Sequence, residues 1–337
     1  RKTPTTNTRR KRKTSKLHPL EIVTVPIHST HTPTTRMTKT TTSVMTKHPL
    51  LMTSSKDCGS SVPPITSTLT TAFVMIVGLL LCEQGTRAFL FHYQDWHTIL
   101  SSETNRYILA RHLGVDSLSC FICAYMGWSN RHPFLTNIYQ AAWKGKSSAF
   151  PASAAEHRGY TYSPKSFYLS LFFLAYQIKN LMDTILWNDG PEYIFHHVLS
   201  LSVCWGALYP GFALDYATFF FGLSEISTCV LCILANFDDD HGVVGLGEAF
   251  PLAKIIIGVI FVVFFILCRV ILWPIFSYYF TRDALTCLKG DNPEVNKRRF
   301  VIKMHCFCLV GLSVLQLSWL IVIYFIAIKE FKAIGLL

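Results

Sequence analysis

The chain has 337 residues, of which 50% are hydrophobic and only 15% charged, with a mean hydropathy of +0.33; soluble domains carry roughly a quarter charged residues, so a soluble enzyme and a disulfide scaffold are excluded. The formal charge of +11 belongs to one end: residues 1–57 hold twelve Lys/Arg against Glu21 and Asp57, a net of +10, and the remaining 280 residues carry +1. With the basicity confined to a tail, a basic nucleic-acid-binding fold is excluded too, and the body reads as a nearly neutral membrane chain.

Residues 1–61 are Thr-, Pro- and Lys/Arg-rich without a periodic apolar face. Such a segment cannot bury enough surface to offset its ordering entropy and is expected to be disordered. Its cluster Arg9, Arg10, Lys11, Arg12 and Lys13 is either a solvated stretch or a contact for anionic lipid headgroups, at about 1 kcal/mol per basic residue near the surface. The hydroxyl-rich, acid-poor composition also fits an organelle transit peptide. The first residue, Arg1, is not Met, so the natural start is expected upstream.

A bilayer core of about 30 Å needs about 20 apolar residues as helix. Seven runs qualify: Ile65 to Cys82, Tyr107 to Trp128, Ser166 to Trp187, Glu192 to Tyr209, Phe212 to Asn236, Leu252 to Phe276, and Val301 to Ile328. The first, with its following loop, makes a unit over 62–105, and 329–337 is a short C-terminal tail. Arg111, His112 and Asp116 crowd the second run, whose helix is expected to start near Leu113. Ser129 to Pro164 is a long loop that caps the bundle or stays mobile. In lipid only helices or closed barrels satisfy their backbones, and runs this long are helical. The fold class is therefore all-α, a polytopic membrane protein of about seven transmembrane helices. Loops on the side of the N-terminal tail carry Arg131, Lys144, Lys146, Arg158, Arg282, Lys289, Lys297, Arg298 and Arg299. Those on the other side carry Asp189, Asp238, Asp239, Asp240 and Glu248, which favours a cytosolic N-terminus.

Nine of the eleven cysteines sit inside or at the ends of these runs, where Cys behaves as a small hydrophobe. The C-x-x-C spacings Cys120/Cys123 and Cys229/Cys232 lack turn residues, so no metal is expected there.

Ionisable residues at membrane depth are costly and need a partner or a role. Asp183, the pair His196 and His197, Glu225 and Arg269 stand out. Asp183 and His196 each lie about six or seven residues from the turn near Asp189 and Gly190, about 10 Å at 1.5 Å per residue, so antiparallel packing puts them level. His197 and Glu225 are likewise about equidistant from Pro210-Gly211. A carboxylate level with an imidazole is how a proton-transfer site is assembled, which makes His196, His197 and Glu225 candidate catalytic residues. Adjacent histidines point about 100° apart on a helix, so one of them faces the core; the alternative for both is an interfacial side chain. Asp183, Asn180 one turn earlier, and Arg269 are candidates for a lipid-binding or structural polar layer. Arg269 either snorkels to the surface or meets Glu225 or an anionic head, and Pro274 kinks or ends its helix.

The stretch PEYIFHHVLSLSVCWGALYPGFALDYATFFFGLSEISTCVLCILANF, residues 191–237, resembles the TLC-domain family of multipass membrane proteins. That family includes the ceramide synthases, the translocon-associated TRAM proteins and a group of lipid-composition regulators. The marks are the His-His pair opening a span and Ser-Glu-Ile-Ser-Thr in the next. Further marks are an Arg within FFILCRVILWP, Leu315-Gln316-Leu317-Ser318-Trp319 in the last span, and Val115-Asp116-Ser117-Leu118-Ser119 in the opening helix. The resemblance covers about 106–328. It implies a six-helix bundle around an acyl-lipid cavity, here spans two to seven, preceded by one extra span. Ceramide synthases follow their His pair with further acidic residues on the next span, whereas this chain has Leu223-Ser224-Glu225-Ile226-Ser227-Thr228. It thus looks closer to the single-Glu group, for which the resemblance implies a role in lipid homeostasis, with membrane lipids as partners and an endomembrane such as the endoplasmic reticulum as location. The alternative is a sphingoid N-acyltransferase with His196 or His197 as base and acyl-CoA as substrate; no cofactor is otherwise expected, and no nucleic acid. The body lacks the H-x-x-H-H boxes of a di-iron hydroxylase, and a seven-span receptor rests on helix count alone.

Overall fold

The computed structural model describes residues 62–238, 241–290 and 292–333. The expected tail 1–61, with its cluster Arg9 to Lys13, lies outside the described residues. Seven long helices follow one another: α1 (Ile65–His92), α2 (103–129), α3 (Pro164–Trp187), α4 (Pro191–Leu208), α5 (Leu214–Ala235), α6 (Pro251–Lys289) and α7 (Pro293–Ala333). Four of them, α1, α5, α6 and α7, are long and apolar enough by themselves to cross a membrane. Among the described residues there is no strand.

Local chemistry explains where the helices begin. α3, α4, α6 and α7 start on Pro164, Pro191, Pro251 and Pro293, because proline's fixed φ suits the first helical position, where no N–H is needed. Ser163 caps α3, and the left-handed Asn188 closes it.

Two boundaries differ from expectation. α2 does not wait for Leu113 but starts at Glu103 behind the Ser102 cap, since its charged residues find partners inside the protein. Pro274 does not end α6, which runs on to Lys289. The seven residues Ile266–Leu272 just before it form a wide π-type turn that relieves the i→i−4 pattern where the proline would clash. α1 also runs ten residues past Cys82, and Arg87 near its end bonds Glu103 at 2.9 Å and stacks on Tyr107.

Six helices close a ring in the order α2, α3, α4, α7, α6, α5, and α5 returns to α2. α1 lies outside it, against α3 and α2. The ring is tightest where α2 crosses α5: a Cβ on Gly222 would sit 2.7 Å from the Gly127 Cα, so the backbones touch, as small residues permit between membrane helices. α1 is held at its start and beyond its middle. Tyr209 Oη bonds Thr68 Oγ1 at 2.6 Å and donates to the Pro63 carbonyl at 2.5 Å, and Cys82 Sγ donates to the Gly114 carbonyl at 3.1 Å. The outer surface is apolar: Phe307, Val310, Val314, Leu317, Ile321 and Phe325 form one exposed stripe along α7, the face that lipid covers. Segment 130–163 folds over the end of the bundle where α1 begins, hereafter the lower end. It contains helices Phe134–Trp143 and Ala155–Tyr160 and is fastened by Arg158, whose guanidinium bonds Asp283 of α6 at 2.7 and 2.9 Å.

The α2–α5 crossing predicts a position-specific sensitivity. Gly127→Val and Gly222→Val should each lower the melting temperature in detergent, by an overpacking cost of about 1–3 kcal/mol. Gly78→Ala, with nothing within 4 Å, should leave it unchanged or raise it.

Candidate functional site

The ring encloses a narrow slot of about 60 Å³ lined by α3 to α7. His196 and Ala207, eleven residues apart on α4, both line it, so it follows the helix axis for about 16 Å. Its upper end is polar, with His196, Ser200, Glu225 and Arg269. Its middle is aromatic: Phe173 stacks on Phe221 at 4.6 Å, and Phe220 meets Trp273 edge-on at 5.0 Å. Its lower end holds Phe212, Tyr216, Phe280 and His305. The slot is narrow for its length, so a chain-like occupant requires these rings to part.

The polar end is organised around an ion pair between α5 and α6. Arg269 Nη2 lies 3.2 Å from Glu225 Oε1 and 3.0 Å from Thr228 Oγ1, while its Nε donates to Ser227 Oγ at 3.2 Å. The other carboxylate oxygen, Oε2, accepts from the Cys120 thiol at 3.5 Å, and that sulfur meets Tyr176 Oη at 3.2 Å. Both charged side chains are less than a tenth exposed. Each partner is carried on or beside a π-type turn, Thr218–Leu223 before Glu225 and Ile266–Leu272 around Arg269. Such turns shift the register of the following residues and recur at functional sites.

The two histidines separate. His196 lines the slot, packs against Trp319 at 5.2 Å, and has a buried Nδ1 without a hydrogen-bond partner. His197 is buried between α3 and α4, its Nδ1 2.7 Å from the Gln177 Oε1 it donates to. One imidazole therefore meets the slot at its polar end, where a ring nitrogen can bond a ligand hydroxyl or amine.

Asp183 belongs elsewhere. It pairs with Lys179, four residues before it, and lies 3.9 Å from Arg111 Nε. Lys179 also reaches Glu83 of α1 at 2.6 Å, and Arg111 reaches Asp189 at 2.5 Å and Asp116 at 3.8 Å. This second network joins α1, α2 and α3 and stands outside the slot. Asn180 does not line the slot, and its Oδ1 is buried without a partner. The levels inferred from hairpin lengths thus describe two polar groups, separated by the rotation of α3 about its axis.

Sequence reasoning missed several members. Lys179, only 1% exposed, and Glu83 went unremarked, although an i,i+4 Lys–Asp pair inside an apolar helix is a signal for buried pairing. His305 was missed too. It lies on the helical stripe His305, Leu309, Leu312, and Gln316, the next residue on that face, is buried with both amide atoms unpartnered. Among the described residues no three His, Cys, Asp or Glu side chains gather as a metal would require, and both C-x-x-C pairs are free thiols.

Removing one member of a buried ion pair strands the other, at about 3–5 kcal/mol. Glu225→Gln and Arg269→Met should each lower the melting temperature markedly. The double variant should recover most of the loss, a coupling read from the double-mutant cycle.

No curated protein and no solved structure matches the chain. The family model described as the TLC domain matches residues 110–327, from the charged part of α2 to the upper part of α7, and so takes in part or all of each of the six ring helices. The chain is therefore an integral multipass membrane protein that belongs to the TLC-domain family, whose domain marks membrane proteins of lipid metabolism or sensing.

Proposed function

We propose that the protein takes part in lipid homeostasis by binding or sensing an acyl lipid in the slot, with the chain between the aromatic rings and the polar part against His196 and the Glu225–Arg269 pair. An endomembrane such as the endoplasmic reticulum is the proposed location. The observation that carries this reading is the commitment of Glu225: one oxygen is held by Arg269 and the other by the Cys120 thiol. A carboxylate so engaged is a fixed counter-charge, ill suited to orient His196 as a general base. Arg269, held by Glu225, Ser227 and Thr228, then forms a prepared polar wall that stays paired without a ligand.

A second reading is favoured by one feature, the unpartnered Nδ1 of His196 on the slot wall. It is an acyl-CoA-dependent N-acyltransferase of ceramide-synthase type, in which His196 takes the proton of a sphingoid amine. His197, bonded to Gln177, would then orient the neighbouring wall without touching the substrate. No cofactor enters either reading, and acyl-CoA enters the second as substrate.

Mass spectrometry of lipids that co-purify with the full chain tests the first reading. Bound acyl lipid should fall about tenfold, equivalent to about 1.4 kcal/mol, in Ala207→Phe, which fills the lower slot, provided the melting temperature shows a folded protein. Purified protein devoid of acyl lipid, or an Ala207→Phe variant that retains it, sinks the slot. Turnover of acyl-CoA with a sphingoid base, lost in His196→Ala and kept in His197→Ala, would establish the second reading instead.

A further inference from the structure

A second cavity, of about 410 Å³, opens at the lower end between segment 130–163 and the first turns of α3 and α5. It is larger than the slot and lies outside the readings above. Its frame is fixed: Arg158 bonds the Pro151 carbonyl at 2.9 Å as well as Asp283, and Tyr216 donates to the same Asp283 at 2.9 Å. The rings of Phe134 and Phe150 close the frame, Phe134 edge-on to Tyr216 at 4.8 Å and Arg158 over Phe150 at 3.9 Å. The cavity is thus held open by buried contacts.

Its walls are rich in donors. Asn130 Nδ2 is buried and has no hydrogen-bond partner. His132 and His157 each have Nδ1 engaged, by Thr136 at 2.7 Å and Thr161 at 3.2 Å; Thr161 gives its proton to the His157 carbonyl, so His157 donates from Nδ1 and its Nε2 donates to an anion only in the imidazolium form. Lys165 is exposed and makes no ion pair among the described residues. The single acid on the wall, Asp215, is within electrostatic reach of His157 and Arg158. Asp215 makes no ion pair among the described residues, Arg158 being committed to Asp283; Lys165, Asn130 Nδ2 and two imidazoles that donate from Nε2 as imidazolium outnumber it and are complementary to an acceptor-rich anion, and charge-assisted bonds to phosphate oxygens are among the stronger hydrogen bonds.

The cavity's covering segment also carries exposed aromatic side chains. The helix Phe134–Trp143 turns Phe134 and Ile138 into the protein and leaves Tyr139 and Trp143 about half exposed, their rings stacked at 5.7 Å. Trp128 at the end of α2 is exposed beside it. Tyr and Trp so placed mark the membrane–water boundary, where their amphipathic rings sit among headgroups.

We propose that this lower cavity is a binding site for a phosphate ester, with Lys165, Asn130 and the Nε2 atoms of His132 and His157 as the phosphate contacts. The boundary position favours the headgroup of a phospholipid as its source. The site does not depend on an occupant of the slot.

The test uses the full chain in detergent, titrated by native mass spectrometry and thermal shift with four probes: a monoacylglycerol phosphate, the monoacylglycerol of the same chain, glycerol phosphate and inorganic phosphate. The phosphate-bearing lipid should bind at least about tenfold more tightly than the neutral one. Lys165→Glu and His157→Ala, at exposed side chains, should each remove about tenfold of that preference without changing neutral-lipid binding or the ligand-free melting temperature. Glycerol phosphate or inorganic phosphate binding with the same sensitivity to Lys165→Glu would support the site with a soluble source; binding of the lipid alone would support the membrane source. The proposal is overturned if both lipids bind equally, if Lys165→Glu and His157→Ala bind as the parent does, or if Lys144→Glu, outside the cavity, weakens binding as much as Lys165→Glu. Ala207→Phe should leave the phosphate preference intact, which separates this site from the slot.

Discussion

A charge at membrane depth has no water to fall back on, and an isolated one costs about 2.5–3.5 kcal/mol even on insertion scales. The architecture follows from how this chain meets that constraint. Glu225 and Arg269 join α5 to α6 at the upper end of the slot, and Lys179 ties α3 to α1 through Glu83 while Arg111 draws α2 to Asp189 after α3. Each pair replaces lost hydration with a counter-charge from another helix. The polar groups are therefore also the rivets of the bundle, and a ring of otherwise lipid-soluble helices acquires a defined register.

The rivets work because the backbone bends to bring them together. The three π-type turns among the described residues each carry or adjoin an ionisable residue of these networks: Asp116 within His112–Ser117, Glu225 just after Thr218–Leu223, and Arg269 within Ile266–Leu272. A wide turn rotates the side chains that follow it relative to those before it. Glu225 and Arg269 thereby reach one another across α5 and α6, while Asp116 meets Arg111 of its own helix at 3.8 Å. The close passage of α2 over α5 at Gly127 and Gly222 brings Cys120 of α2 within reach of Glu225.

The outward face obeys the reverse rule. α6 and α7 expose apolar stripes and turn His305 and Arg269 inward, so their polar side chains meet partners within the bundle. At the lower end the order changes again. Of the two expectations for segment 130–163 the structure shows the cap: Arg158 and Asp283 lock it to α6, and it carries the helix Phe134–Trp143. The long loop that the sequence left between capping and mobility is a structured shelf.

Run length and composition alone determined that this is a membrane chain of seven helices, because hydropathy is a local property summed over about 20 residues. Proline starts at α3, α4, α6 and α7 are equally local, and so are the His-His and Ser-Glu-Ile-Ser-Thr marks of the family. The 100° between His196 and His197 was legible too, though not which ring would face inward. Only the tertiary structure decided that His196 meets the slot while His197 turns to Gln177, that Asp183 leaves the histidines for Lys179 and Arg111, and that α6 runs on past Pro274. Those outcomes depend on the rotation of each helix about its axis and on three wide turns. Rotation is settled by contacts between segments far apart in the chain, and no periodicity within one segment records it.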